Sequence, residues 1–287
     1  MIEFWCFSAF RKENPVNCKT GQEVYKLKEM EKNNISQWQP LKEEGSELLD
    51  LQTDRDRKWL CLGADCPSSC CGFVYPQANI FINEIIHLSH YFPINFHVVT
   101  QPDGKRVAAL CIVLRLLSAN APCAYLREGE GCTLGEDRPL ACKMFPFRVV
   151  KDETGEYRAT RKLFCPGISE ELGPNILMQD GSLNPLIEEA CVKPAISGAE
   201  NSEATRTFVE TLEKHELIVP GCFSHRGEKM LLNFVDAMKL RALPKEILEN
   251  FRENGYMDLI MAHMRSLDLI PKFIDEYLVW KERQKNT

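Results

Sequence analysis

The chain has 287 residues, of which 44% are hydrophobic and 26% are charged, a composition typical of a soluble globular protein with one or two domains. The net charge of −6 argues against a general nucleic-acid or anionic-membrane binder, because both need a basic surface. No apolar run reaches the roughly 18 residues of a membrane span, and the N-terminus lacks the basic region of a signal peptide. We therefore expect a cytoplasmic protein without nucleic-acid or membrane partners.

The chain divides into three regions by composition. Residues 1–58 are highly charged and are predicted to form a partly helical N-terminal extension. Residues 59–170 hold most of the cysteines, and residues 171–287 carry apolar side chains at helical spacing. The predicted fold class is α+β, with a small cysteine-rich metal-binding unit that contains short hairpins, followed by a mainly helical C-terminal region.

Two hairpins and one helix are predicted within the cysteine-rich region. Apolar, β-branched residues at 96–100 and 105–117 flank a Pro-Asp-Gly turn signal. The apolar segments 147–151 and 157–164 flank Glu-Thr-Gly in the same way. Residues 83–91 have apolar side chains at helical spacing and predict a short helix.

The C-terminal region is predicted to be helical in four segments. Helical periods occupy residues 203–215, 228–240, 244–254 and 257–284. Pro271 is expected to interrupt the last of these segments, because proline lacks the backbone donor that a helix interior needs. Gly255 stands where a helix C-cap is expected.

Thirteen cysteines are the unusual feature of the composition. A long chain with an odd number of cysteines and no export signal does not fit a disulfide scaffold, so their clustering indicates metal. Glycines and prolines around the clusters favour loops that curl thiolates around a metal ion. Eight cysteines have such surroundings and are the candidate metal ligands: Cys61, Cys66, Cys70, Cys71, Cys123, Cys132, Cys142 and Cys165.

The metal and the number of sites are left open by the ligand set. Eight thiolates suit two four-cysteine sites, or one four-cysteine cluster with additional structural or redox thiols. Zinc and iron both accept such ligands, and a 4Fe–4S cluster is one of the alternatives. Cys111 is excluded because its apolar neighbours predict a buried strand, and Cys191 and Cys222 are excluded because they are isolated.

A family resemblance accompanies these cysteines. The doublet Cys70-Cys71, the string Arg138-Pro139-x-x-Cys142-x-x-Phe-Pro and the closing Cys165-Pro-Gly resemble the YkgJ-type cysteine-cluster proteins, known as the CxxCxxCC family. The resemblance covers about residues 59–168 and implies a zinc- or iron-chelating domain in which the eight cysteines are ligands. The first cysteines are spaced more widely here than in that family.

Three functions are compatible with this interpretation. The first is a metal-binding protein whose metal organises the cysteine-rich region. The second is an iron–sulfur-dependent enzyme acting on a protein side chain, since a related cluster occurs in flagellin lysine N-methylases. The third is an adaptor that binds a protein partner through its C-terminal helices.

Overall fold

The computed structural model describes residues 49–50, 56–62, 77–100, 106–114, 121–127, 129–151, 153–155, 157–161, 165 and 167–285. These residues belong to one compact unit that spans Glu47–Thr287. Short antiparallel sheets are combined with a mainly helical C-terminal region, so the predicted α+β class is confirmed. The finer prediction of a cysteine-rich metal-binding unit is not shown.

The strands are short, and those in the described ranges pair in antiparallel fashion within five small sheets. Their bounds are β1 Leu49–Asp50, β2 Lys58–Trp59, β3 Gln77–Asn79, β4 Ile94–Thr100, β5 Arg106–Val113, β6 Leu126–Arg127, β7 Gly131–Cys132, β8 Phe147–Lys151, β9 Tyr157–Arg161, β10 Ile168–Ser169, β11 Ile218–His225 and β12 Glu228–Val235.

The longer helices all lie in the C-terminal part of the chain, from Lys193 onwards. Their bounds are α1 Ile85–Leu88, α2 Leu140–Lys143, α3 Pro185–Ile187, α4 Lys193–Lys214, α5 Ala237–Ala242, α6 Lys245–Glu253, α7 Tyr256–Ser266 and α8 Ile270–Lys285. Segments of 3-10 helix lie at Ile82–Glu84, Gly135–Asp137 and Leu267–Leu269, and a π-helical segment at Glu188–Val192 joins α3 to α4.

Both predicted hairpins are present. Strands β4 and β5 pair from Ile94 with Ile112 to Thr100 with Arg106, and β3 lies on the other side of β5. Strands β8 and β9 pair in the second hairpin, with β1 beside β9. The turn chemistry between apolar runs was therefore sufficient to identify these two local units.

The β11–β12 hairpin is joined to β4 by side chains. Asn95 accepts a hydrogen bond at Oδ1 from the backbone N–H of Asn233, at 2.8 Å. The side chain of Asn233 donates in return to the carbonyl of Phe96, at 2.7 Å. Because Asn95 is buried, these reciprocal bonds satisfy polar groups that would otherwise be costly inside the protein.

The predicted helix over residues 228–240 is wrong for residues 228–235, although residues 237–240 do lie in α5. Residues 228–235 form β12, in which buried Met230, Leu232 and Val235 face the core. The tight turn that starts this strand is formed by Arg226 and Gly227, which both have positive φ angles of 50° and 84°. Such a two-residue turn matches the twist of a hairpin and commits the following residues to a strand.

One large apolar core connects the sheets to the C-terminal helices. It includes Phe92, Ile94 and Phe96 from the region of β4, and Phe251 and Phe273 from the helices. A smaller cluster contains Phe147, Ile176, Leu177, Ile187 and Cys191. Residues far apart in sequence therefore share the larger core.

The C-terminal helices follow their predicted breaks closely. Gly255 has a φ of 72° and lies between α6 and α7, in the conformation that a helix C-cap needs. Pro271 lies in the first turn of α8, where its missing donor is tolerated. No described helix is both long and apolar enough to cross a membrane.

We expect Asp236→Ala to destabilise the protein by about 1 kcal/mol, because it removes the N-cap of α5. The Asp236 carboxylate accepts hydrogen bonds from the backbone N–H groups of Met238 at 2.8 Å and Lys239 at 3.2 Å. Urea unfolding would measure the loss. Glu253→Ala, an exposed change at the end of α6, is the control and should alter stability by less than about 0.5 kcal/mol. Equal losses in the two variants would contradict the capping role.

Candidate functional site

Five of the predicted ligands lie within the described residues. Cys61 is exposed after β2, and Cys142 lies in α2. Cys123 is buried in the large core, and Cys132 packs against that core from β7. Cys165 precedes β10. The other three predicted ligands, Cys66, Cys70 and Cys71, lie outside the described residues.

No metal-binding group appears among the residues that the structure describes. Nowhere in these ranges do three or more His, Cys, Asp or Glu side chains come together in a way that could hold a metal ion. The eight-cysteine ligand set as a whole stays a prediction, because three of its members are not described.

Two of the three cysteines excluded from the ligand set, Cys111 and Cys191, are buried thiols with high pKa values. Burial raises the pKa of Cys111 to about 12, and its thiol lies 3.0 Å from the Gln77 side-chain oxygen. Burial also raises the pKa of Cys191 to about 12, while the charge of Arg138 lowers it and Cys61 raises it further. Thiols with such high pKa values remain protonated at neutral pH, and thus unreactive.

A concave site lies beside the C-terminal helix, and we name it the C-terminal cleft. It has a volume of about 310 Å3. One wall is α8, and the other is formed by the end of β5 and the segment that leads into β6. The lining residues are Leu114, Ala121, Pro122, Cys123, Ala124, Leu126, Arg127, Phe273, Glu276, Tyr277, Val279, Trp280 and Arg283.

The surface of the cleft combines apolar and aromatic side chains with polar groups. Phe273 is 1% exposed and belongs to the core, so it forms a rigid part of the wall. Tyr277 and Trp280 are three residues apart and lie on the same face of α8, with ring centroids separated by 5.9 Å. Amphipathic aromatic rings at a partly open surface are typical of sites that bind apolar groups.

A pair of opposite charges lies within this apolar surface. Arg127 donates from Nη1 to the carbonyl of Ala124 at 2.7 Å, which orients the guanidinium group. Its Nη2 lies 3.7 Å from Oε1 of Glu276 on α8, a distance longer than a hydrogen bond. The two side chains are nearly half exposed, so the attraction between them is screened by solvent.

The β11–β12 hairpin fixes the position of α8. Asp275 lies 3.1 Å from His225 and 3.2 Å from Arg226, and these two contacts lower the pKa of its carboxyl group. Lys281 lies 2.9 Å from Glu228. Because these contacts join α8 to both strands of the hairpin, the wall that carries Tyr277 and Trp280 is held in place at two points.

Tyr125 supports the cleft from behind. Its hydroxyl donates to the carbonyl of Tyr91 at 2.7 Å, and its ring packs edge-on against Phe92 and Phe273. Burial raises the pKa of Tyr125 to about 12, with the nearby Cys123 thiol as a second cause. The hydroxyl therefore remains protonated and acts as a structural donor.

A second group of polar side chains surrounds α1. His87 lies 3.2 Å from Asp137, whose other oxygen accepts a hydrogen bond from Tyr91 at 2.9 Å. The buried Glu84 carboxylate accepts backbone N–H bonds from Phe81 at 2.9 Å and from Leu140 at 2.7 Å. Burial raises the pKa of Glu84, and these two bonds oppose the rise. Glu84 thus joins the start of α1 to the start of α2, a structural role.

Comparison with protein families identifies the chain. The SapC family model matches residues 74–273, which is more than half of the 287 residues. The chain belongs to the SapC family. No curated protein and no solved structure matches the chain.

Membership of the SapC family corrects the family and function predicted from the cysteines. The predicted YkgJ-type family is wrong, and so is the predicted metal-binding function, for which the described residues offer no metal-holding group. The alternative of an iron–sulfur-dependent enzyme is rejected together with that metal-binding function. The SapC match ends at Phe273, so Glu276, Tyr277 and Trp280 of the cleft lie beyond the matched segment.

Apart from Cys123, which was predicted as a metal ligand, the residues that line the cleft were not predicted from the sequence. Tyr277 and Trp280 were visible only as two aromatic residues at helical spacing within a long helical segment. Arg127 had no distinguishing signal, because its position depends on a contact with a helix about 150 residues further along the chain.

Proposed function

We propose that this SapC-family protein is a binding protein that holds a small, largely apolar ligand in the C-terminal cleft. The observation that carries the proposal is an aromatic wall, formed by Phe273, Tyr277 and Trp280, that faces a segment rich in apolar side chains. Ligand sites in proteins are typically concave and mostly apolar, with a few polar groups that fix orientation.

The size of the cleft limits the ligand. Its volume of about 310 Å3 is at the lower end of the range for small-molecule sites. A ligand with one or two fused or linked rings fits that space, whereas a large cofactor does not.

The proposal can be tested with N-phenyl-1-naphthylamine, a neutral apolar probe whose fluorescence rises when it leaves water. We expect saturable binding by the wild-type chain. Trp280→Ala removes one of the three aromatic rings that α8 contributes to the cleft and should weaken the probe's affinity by about tenfold or more, as truncation of a central aromatic contact often does. Fluorescence titration measures both dissociation constants.

Met238→Ala provides the matched control. Met238 is 72% exposed on α5 and does not line the cleft, so the variant removes an apolar surface group elsewhere. The proposal requires the probe to bind this variant as it binds wild type. Non-saturable binding to wild type, or equal weakening in both variants, would overturn it.

A protein partner on the C-terminal helices stays a prediction. Its support is the exposure of apolar side chains in that region, with Met238 at 72%, Val279 at 46% and Met261 at 39%. Scattered apolar side chains are common on protein surfaces, and they favour a partner only where they form one continuous patch.

A further inference from the structure

We infer that the ligand of the C-terminal cleft is an organic anion: an aromatic or aliphatic body that carries one carboxylate or similar acidic group, with Arg127 as its anion-binding residue. The inference rests on the proposed function, since it names the ligand class for the same site. It further assigns Glu276 a specificity role, as the protein's own carboxylate that the ligand's acidic group replaces beside Arg127.

Arg127 is prepared to receive an anion. Its guanidinium is a planar group with five donors, a geometry that matches both oxygens of a carboxylate. One end is anchored by the bond from Nη1 to the Ala124 carbonyl, at 2.7 Å, so the group is already oriented. Fixing a recognition group before binding reduces the entropy that the ligand must overcome.

The present partner of Arg127 holds it only loosely. Oε1 of Glu276 lies 3.7 Å from Nη2, within ion-pair range but beyond hydrogen-bond length. Both side chains are nearly half exposed, and exposed pairs of this kind are weak because water and salt screen them. A carboxylate that approaches closely enough to form two short bonds can therefore displace Glu276.

Charged side chains line part of the cleft. Among its described lining residues these are two arginines and one glutamate, Arg127, Arg283 and Glu276. An arginine within a concave site attracts anions locally.

The apolar and charged parts of the cleft lie on one continuous surface. Tyr277 and Glu276 are adjacent on α8, and Trp280 follows one helical turn later. A ligand whose rings contact Tyr277 and Trp280 can therefore direct an acidic group towards Arg127 on the facing wall. This arrangement selects for an apolar anion over a neutral molecule of the same shape.

Two probes with the same ring skeleton test the inference. N-phenyl-1-naphthylamine is neutral, and 8-anilinonaphthalene-1-sulfonate adds one negative charge to the same skeleton. Fluorescence titrations of the full chain with each probe should show tighter binding of the sulfonate. Its affinity, but not that of the neutral probe, should fall as salt is raised, because salt screens the attraction to Arg127.

Variants of the two charged residues separate their roles. Arg127→Met should weaken the affinity for the sulfonate by about tenfold or more, as expected for loss of a charged hydrogen bond. The affinity for the neutral probe should not change. Glutamine has nearly the same shape as glutamate but no charge. Glu276→Gln should therefore increase the affinity for the sulfonate several-fold, because it removes the competing charge. Arg206→Met is the control, since Arg206 is an exposed arginine on α4 that pairs with Glu203 and does not line the cleft.

The outcomes distinguish this inference from the proposed function. If the neutral probe binds in the cleft but both probes respond equally to Arg127→Met, the proposed function stands and the anion preference is wrong. If Glu276→Gln does not bind the sulfonate more tightly than wild type does, the specificity role of Glu276 is wrong. If neither probe binds in a manner sensitive to Trp280→Ala, the proposed function itself fails.

A folding control precedes these titrations. Thermal unfolding compares Arg127→Met with wild type. If Arg127→Met is unfolded, the titrations of Glu276→Gln still test the inference.

Discussion

Phe273→Ala should lower the free energy of unfolding by about 3–5 kcal/mol, the usual range for truncation of a buried phenylalanine. Phe273 is 1% exposed and packs edge-on against Phe92 and Tyr125, with ring centroids 6.2 and 6.4 Å away. The truncation removes apolar contacts from the large core and leaves a cavity behind. Urea unfolding followed by circular dichroism would measure the loss.

Two further variants test whether the loss in Phe273→Ala comes from its buried side-chain volume. Phe273→Leu keeps most of the buried volume and should cost less than Phe273→Ala. Val279→Ala changes the same helix at a side chain that is 46% exposed, and should alter stability by less than about 1 kcal/mol. If Phe273→Ala were as mild as Val279→Ala, α8 would not be part of the core, and the wall of the C-terminal cleft would not be fixed as described.

The predicted parts of the fold are those decided by short-range chemistry. The β4–β5 and β8–β9 hairpins each have a glycine-containing turn signal between two strand-forming segments, and both pair as predicted. Gly255 ends a helix in the left-handed conformation that glycine adopts without steric cost. Each of these features depends on residues that are close together in the chain.

The β12 strand shows where periodicity alone fails. Met230, Leu231, Phe234 and Val235 fit a helical period, and Met230, Leu232 and Phe234 equally fit the alternation of a strand. The turn at Arg226 and Gly227 decides between them, but arginine followed by glycine is a weaker hairpin signal than asparagine or aspartate followed by glycine. The tertiary bonds from Asn233 to β4 then favour the strand further.

The candidate site could not be predicted because its two walls are joined only by tertiary contacts. The segment that carries Arg127 and the helix that carries Glu276 are far apart in sequence, and neither contains a recognisable motif. The cysteines offered a stronger local pattern, but Cys123 and Cys132 pack with the apolar core. Cysteine is among the most buried residue types, so its abundance is also compatible with a packing role.

A buried histidine makes the stability of this protein depend on pH. His263 is 1% exposed, its ring packs edge-on against Phe96 at 4.9 Å, and its Nε2 accepts the backbone N–H of Val235 at 3.2 Å. Burial disfavours the charged imidazolium and lowers the pKa of His263 to about 3, from the ordinary value of 6.5. The folded state therefore holds this side chain neutral, while the unfolded chain can protonate it below about pH 6.5.

The sign of the effect follows from which state binds the proton. Between about pH 6.5 and pH 3 the unfolded state binds a proton at His263 that the folded state excludes, so stability falls as pH falls. The contribution is complete above pH 6.5, decreases by up to about 1.4 kcal/mol per pH unit below it, and levels off below about pH 3. His263→Gln keeps a side-chain acceptor for Val235 but cannot titrate, so it isolates this contribution from that of the acidic groups. Urea unfolding of both proteins at pH 7 and pH 5 should show wild type losing more stability than His263→Gln over that interval. An equal loss in the two proteins would mean that His263 already accepts its proton in the folded state, which would contradict its burial as a neutral acceptor.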